Sequence, residues 1–392
     1  MTTRIQQRNT QRNASEQLRP AHTDRLAVTF LLFTLWAFCL SALPARSSGP
    51  ALQLVRRAHY QMGTIFEISA YGKEEDSRRT VAAIEEAFAK IRQADEMMSN
   101  YRDDSDLTRL NQKGGTGFVP VPAELYNLLQ ESVKYSRLTG GAFDVTAGPL
   151  VTAWQRAAGQ TRLLSGTELR RLLPLVGDSR LLFDDERQAV RFDRPGVRVD
   201  LGAIAKGWAV DRAAAVLRRR GIERALISAG TSTFYAIGSP PSQQAWEIGI
   251  RHPRSANAED DSNRDEETIL ATVALRDEAL STSASYEKYL EIQGKKYSHL
   301  LDPRSGIPAE RLLSSTVIAP TAAESDALST GIFILGTEQA AALLRRLELS
   351  GLKLSGVVAE AGIGDQKLVV RRIGAIRERD SLLLQPLQEN SP

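Results

Sequence analysis

Val199-Asp200-Leu201-Gly202-Ala203-Ile204-Ala205-Lys206-Gly207 reads as a strand that turns into a helix across a glycine. The β-rich run Val197 to Leu201 stops at Gly202, and an alanine-rich helical pattern continues to Arg220, with Gly221 as its stop signal. Such a junction leaves backbone N–H groups unpaired at the amino end of the helix, a ready seat for phosphate, with the Asp200 carboxylate and the Lys206 ammonium within reach of it. The plainer alternative makes Asp200 the helix cap and puts Lys206 on a solvated face.

A second helix begins at Thr321-Ala322-Ala323-Glu324, a capping-box signature, and runs to Leu335-Gly336. Asp326 and Thr330 are four apart on it, so a carboxylate and a hydroxyl share one face. Two such oxygens, beside backbone carbonyls and a diphosphate, suit a Mg²⁺ that keeps part of its coordination for substrate and water. A polar stripe facing solvent is the alternative, but the small neighbours Ala323, Ala327 and Gly331 favour a closely packed helix.

Around these two elements the chain reads as α+β, with antiparallel strands and amphipathic helices. Ala58 to Tyr71 alternates as one strand interrupted at Met62-Gly63-Thr64, where the glycine marks a bulge or a close backbone approach. Ser77 to Met98 has helical periodicity, and the polar loop after it holds Tyr101 and leads into a capped short helix reaching Asn111. Pro122 to Leu138 is a further helix, closed by Gly140-Gly141; Phe143 and Asp144 follow, an aromatic next to a carboxylate in a turn, suited to a planar heterocycle. Strands are predicted within Arg224–Gly238 and at Trp246–Arg251, Ile269–Leu275 and Leu280–Ile292. The acidic stretch 254–268 is a surface loop within a hairpin, with an acidic metal site as the weaker alternative. His299 lies next to Asp302 in the Pro/Gly turn Asp302-Pro303-Arg304-Ser305-Gly306, which raises its standing as a proton acceptor.

The 392 residues are 42% hydrophobic and 25% charged, a globular composition. The formal charge of +3 is accounted for by five arginines against Glu16 and Asp24 within residues 1–25, so the rest is neutral and no nucleic-acid surface is implied. Leu26 to Leu43 carries no charge and follows arginines, which marks an export signal or an N-terminal anchor, with residues 44–55 as linker and the bulk of the chain exported, periplasmic or extracytoplasmic. Membrane contact is expected through this segment alone. The one cysteine, Cys39, lies inside it, which rules out thiol catalysis and disulfides in the exported part. A doubly wound dinucleotide fold is disfavoured, since no G-x-G-x-x-G turn follows the first strand.

Met62-Gly63-Thr64, the Met98 to Asn111 loop, Gly140 to Leu150, Asp200 to Asp211, Thr282-Ser283, Ser298 to Pro308 and Asp326 to Thr330, in this order, resemble the FAD:protein FMN transferases of the ApbE family. The resemblance spans about residues 56–372, within an expected domain of 56–385. It implies a single large catalytic domain with two lobes around a flavin cleft, and Mg²⁺-dependent transfer of FMN from FAD to a threonine or serine of an acceptor flavoprotein or membrane redox subunit, with AMP leaving. By the family pattern Met62, Tyr101, Ala142, Phe143, Asp144, Asp200, Lys206, His299 and Leu300 hold FAD. By the same pattern the Ala203 carbonyl joins Asp326 and Thr330 on the metal. The chemistry itself needs a cation at the phosphoryl oxygens and an acceptor for the hydroxyl proton, for which Lys206 and His299 or Asp302 are the candidates. Two departures from that pattern, at Thr231-Ser232 and Ala284, bear on substrate details. An FAD pyrophosphatase giving FMN and AMP, or a non-catalytic FAD-binding protein, are the alternative readings.

Overall fold

The computed structural model describes residues 51–253, 269–286, 288–352, 354–361 and 368–375. The leader, the apolar run 26–43, most of the linker, the acidic stretch and residues 376–385 lie outside the described residues. The chain runs β1 (Leu52–Gln61), β2 (Thr64–Lys73), α1 (Ser77–Met98), α2 (Asp106–Lys113), β3 (Val119–Pro120), α3 (Ala123–Leu138), α4 (Gly148–Gly159), α5 (Gly166–Leu172), β4 (Leu181–Asp184), β5 (Ala189–Phe192) and α6 (Ala205–Arg219). It continues with β6 (Ala225–Ala229), β7 (Thr233–Ile237), β8 (Trp246–Arg251), β9 (Ile269–Leu275), β10 (Ala279–Ala284), β11 (Tyr289–Ile292), β12 (Lys295–Ser298), β13 (Ser314–Ala319), α7 (Ala322–Leu335), α8 (Thr337–Leu349), β14 (Ser355–Ala361) and β15 (Leu368–Gly374).

Three sequence expectations change. The interrupted strand at Ala58–Tyr71 is a hairpin, β1 paired with β2 in register from Leu52–Lys73 to Gln61–Thr64. Met62 (φ 49°) and Gly63 (φ 73°) form its two-residue turn. Two successive left-handed residues match the twist of a tight hairpin, so Gly63 serves a turn and not a bulge. β1 also begins inside the expected linker. Leu280–Ile292 divides into β10 and β11. The described residues form one compact unit, as expected of a single domain.

Eight strands make one antiparallel sheet in the order β1-β2-β6-β7-β10-β13-β14-β15. Its helix-covered face buries Phe66 and Ile68 of β2 against Ile84, Phe88 and Ile91 of α1, together with Trp208 of α6 and Phe333 of α7. The β8–β9 hairpin covers the other face with Ile248, Ile250 and Val273, over Leu280, Ile318 and Val357. The acidic stretch therefore joins two paired strands, as expected of a hairpin insertion.

α7 is the central element, because all fourteen of its residues are buried although the sequence includes Glu324, Ser325, Asp326, Ser329 and Thr330. Buried polar groups need partners. A seam of hydroxyls along β10 supplies several: Ser281 bonds Ser325 at 2.8 Å, and Ser283 bonds Ser329 at 2.9 Å and Thr330 at 3.1 Å. Against α6 the approach is closer, and a Cβ on Gly207 would overlap the Ala322 carbonyl.

The capping box at Thr321 is only half formed. Thr321 accepts the Glu324 N–H at 3.2 Å, but the Glu324 side chain turns inward instead of back to the cap. Burial first, then the nearby Glu131 and Asp211 charges, pushes its carboxyl up to about 7. Desolvation likewise pushes Asp211 up to about 6, although two backbone N–H bonds from α7 oppose the shift. Unfolded, both groups titrate at about 4. The folded chain thus holds protons that the unfolded chain releases, and the stability these groups contribute is complete below about pH 4 and lost as pH rises through 6 and 7.

Two outcomes follow for unfolding measurements. Gly207→Ala should lose about 2 kcal/mol or more, because the obstacle is backbone that cannot move aside, whereas Gly159→Ala, with nothing near its Cβ position at the end of α4, should be neutral or stabilising. Glu324→Gln, a neutral mimic of the protonated acid, should raise the melting temperature in EDTA by several degrees at pH 8, by much less at pH 5, and hardly at all near pH 4.

Candidate active site

The stretch before α6 is not a strand. Val197, Val199 and Leu201 alternate inward and are buried, but only Arg198 forms a bridge, to Ala147. The alternation records burial on one side without a neighbouring strand to pair with. Other groups satisfy this backbone: the Asn111 amide bonds both the N–H and the carbonyl of Val199, at 2.7 and 2.9 Å, and the Asp200 N–H donates to the Val145 carbonyl at 2.7 Å. The Met98–Asn111 loop and the segment after Gly140 are thereby fastened to the start of α6.

The helix starts at Ala205, after a turn in which the Leu201 carbonyl accepts the N–H groups of both Ile204 and Ala205. Asp200 is therefore not the helix cap; its Oδ1 accepts the Gly202 N–H at 2.8 Å, closing the turn. The expected phosphate seat is also narrower than predicted, because the Gly207 N–H donates to Asp326 Oδ2 at 3.0 Å. In a helix continued backward, that N–H would donate to the carbonyl four residues earlier, which is Ala203. Among the described residues nothing donates to the Ala203 carbonyl in its place.

This rearrangement is the test of fit for a divalent cation. An unpartnered carbonyl stands one helical turn from Gly207, Asp326 is brought to Gly207 by its hydrogen bond, and Thr330 lies one turn further along α7. A carboxylate, a hydroxyl and a carbonyl are hard oxygen donors of the kind Mg²⁺ takes when phosphate and water complete its shell. The residues fit. No cluster of three or more His, Cys, Asp or Glu able to hold a metal occurs among the described residues. Lys206 Nζ lies 3.7 Å from Asp326 Oδ2 and 3.3 Å from the Gly202 carbonyl, with about a quarter of its side chain exposed.

The other expected residues are in unequal states. Met62 is held by its N–H, which donates to Asp95 Oδ2 at 3.1 Å, and Tyr101 is 91% exposed. Ala142 and Phe143 are fully buried, and the Phe143 ring meets Tyr135 edge-on at 6.2 Å. Phe143 therefore cannot stack on a flavin. It is a core residue, packed beside Gly331 of α7, where there is no side chain to exclude it. Asp144 is committed as well: it accepts from Ser136 Oγ, Thr146 N and Thr146 Oγ1, and burial raises its carboxyl despite these bonds. Its role is to brace the loop. The glycines before it do cap α3, with the Gly141 N–H on the Ser136 carbonyl at 2.8 Å.

His299 and Leu300 stand at the start of their own turn. Leu300 N–H donates to Ser298 Oγ, Arg304 packs on Gly141, and Trp154 Nε1 donates to the Gly306 carbonyl at 2.7 Å. His299 Nδ1 is 2.7 Å from the Lys288 carbonyl. A carbonyl only accepts, so Nδ1 carries the proton and, in the neutral ring, the lone pair is on Nε2. Asp302 is not presented as a base. Both of its oxygens take Arg304, at 2.8 Å each, and Oδ1 also takes the Arg304 N–H. Sequence reading missed Asn111 as the fastener of Val199 and Asp211 as a partner of α7. The second was accessible from spacing, since Asp211 is one turn after Gly207 on the same helix face.

The ApbE family model matches residues 62–352. The FAD:protein FMN transferase of Salmonella typhimurium is 31% identical over 326 residues, covering 82% of this chain and 88% of that protein. That of Treponema pallidum is also 31% identical, over 80% of this chain and 89% of its own length. Among solved structures, the ApbE protein of Thermotoga maritima superposes with a TM-score of 0.70 at 28% identity, covering 82% of this chain and 97% of that one. The flavin transferase ApbE of Vibrio cholerae gives 0.67 at 26% identity, over 82% and 98%. By fold, motif order and sequence, the chain belongs to the ApbE family.

Proposed function

We propose that this chain transfers FMN from FAD to a threonine or serine hydroxyl of an acceptor protein and releases AMP. Relatives that match most of its length carry the name FAD:protein FMN transferase. The observation that carries the finer reading is the diversion of the Gly207 N–H to Asp326, which leaves the Ala203 carbonyl without its helical donor and seats a carboxylate by Lys206 at the start of α6. The Ala203 carbonyl, Asp326 and Thr330 would hold Mg²⁺, which when bound supplies neutralising charge to the pyrophosphate oxygens.

The chain's own groups account for the rest. Lys206 places a cation where charge develops on the phosphoryl oxygens, and Asp326 fixes that cation's position. The acceptor oxygen attacks the phosphorus of the FMN half, the bond from that phosphorus to the bridging oxygen breaks, and AMP departs with the bridging oxygen. The hydroxyl proton goes to His299 Nε2, whose tautomer the Lys288 carbonyl sets. Met62, Asp200 and Leu300 contribute to the wall against which FAD lies, and Tyr101 is the exposed ring able to lie over it. Phe143 and Asp144 support the wall from behind. The arginine-flanked apolar run 26–43 exports the chain or anchors it with the catalytic domain outside the cytoplasm.

With FAD, Mg²⁺ and an acceptor peptide, the full chain should release AMP and add the mass of FMN to the peptide in equal amounts, and EDTA should stop both. AMP with free FMN alone would indicate water as the acceptor. Asp326→Asn should reduce the rate by about a hundredfold or more. His299→Gln should lower kcat by about a hundredfold and remove the acid limb of the pH–rate profile, with FAD affinity little changed. Asp302→Asn should leave that limb in place, since its carboxylate is held by Arg304.

A further inference from the structure

The α6–α7 crossing has a second half that the reaction does not use directly. Asp211, one turn after Gly207 on α6, accepts the Ala322 N–H on Oδ1 at 2.8 Å and the Ala323 N–H on Oδ2 at 2.9 Å. α6 thus supplies a carboxylate to the amino end of α7, while α7 returns a carboxylate, Asp326, to the amino end of α6. The two exchanges flank the point where Gly207 lies on the Ala322 carbonyl. Each is about one turn, roughly 6 Å, from the other along its helix.

Capping alone does not explain Asp211. α7 already has a local cap in Thr321, which takes the Glu324 N–H. That cap belongs to α7's own chain segment and moves with it, so it says nothing about where α7 stands against α6. Asp211 is on the other helix, and its two bonds fix both the height and the rotation of α7's first turn. Four residues later that turn delivers Asp326, and eight residues later Thr330. A carboxylate that accepts two amides while partly withdrawn from water is a strong, directional fastener. No other side chain of α6 bonds the first turn of α7 among the described residues.

We infer that Asp211 is a positioning residue: by holding the first turn of α7 from α6, it sets where Asp326 and Thr330 stand relative to the Ala203 carbonyl, and thereby sets the metal affinity of the site. The inference rests on the metal reading proposed above. Groups that orient metal ligands without touching the metal typically change affinity about 10- to 100-fold. Coupling of this kind is reciprocal, so a bound metal must also tighten the Asp211 bonds.

The test is Mn²⁺ binding to the full chain without FAD, followed by electron paramagnetic resonance, for the unaltered protein, Asp211→Asn and Asp326→Asn. Asparagine keeps one acceptor and turns an amide group toward the other N–H, so one bond is lost without a cavity. Asp211→Asn should raise the Mn²⁺ dissociation constant about tenfold, with circular dichroism and FAD affinity in EDTA unchanged. Binding within about twofold of the unaltered chain by a folded Asp211→Asn would overturn the inference. A second measurement needs no variant: Mg²⁺ should slow amide exchange in the peptide holding Ala322 and Ala323, and unchanged exchange there at saturating Mg²⁺ would equally overturn it. Asp326→Asn separates the two levels. Loss of binding in that variant upholds the metal reading whatever Asp211 does, whereas full binding would remove the metal reading and this inference together.

Discussion

The structure depends on two helices touching backbone to backbone. At Gly207 the α6 main chain lies against the Ala322 carbonyl with no room for a Cβ, and Ala203, Lys206, Asp326 and Thr330 lie within about two turns of that contact along the two helices. The closeness has a chemical consequence. It lets an α7 carboxylate take an α6 amide, which frees the carbonyl that the amide would otherwise satisfy. A packing constraint thereby becomes an arrangement of oxygen donors next to a lysine.

The helix that carries these donors is enclosed by the sheet, by α6 and by the loop after α3; its hydroxyls are satisfied by those of β10 and its first two amides by Asp211. Such enclosure favours fixed positions over adaptability. The carboxylates near α7 are sorted by surroundings. Asp326 has an amide and a lysine, Asp211 has two amides, and Glu324 is driven toward its neutral form by burial first and then by the acids nearby.

Much of this was legible in the sequence where local rules decide. α1 spans the residues its periodicity marks, Ser77–Met98, and α7 opens at the predicted cap. The Asp326–Thr330 spacing placed both oxygens on one face. Local rules failed where a distant residue decides. Met62 takes a left-handed conformation that its side chain does not advertise, Val197–Leu201 alternates like a strand yet is held by Asn111, and Phe143 is buried because Gly331, far along the chain, makes space for it. The release of the Ala203 carbonyl is of the same type. It needs Gly207 and Asp326 together, 119 positions apart.

The most direct measurement of the central claim is an anomalous diffraction map from crystals soaked with Mn²⁺ and a non-transferable FAD analogue. The account predicts one peak at coordination distance, roughly 2.1–2.3 Å, from the Ala203 carbonyl, an Asp326 oxygen and the Thr330 hydroxyl, with the remaining positions facing the pyrophosphate. A peak that leaves out the Ala203 carbonyl, or metal held by the pyrophosphate away from α7, would contradict it.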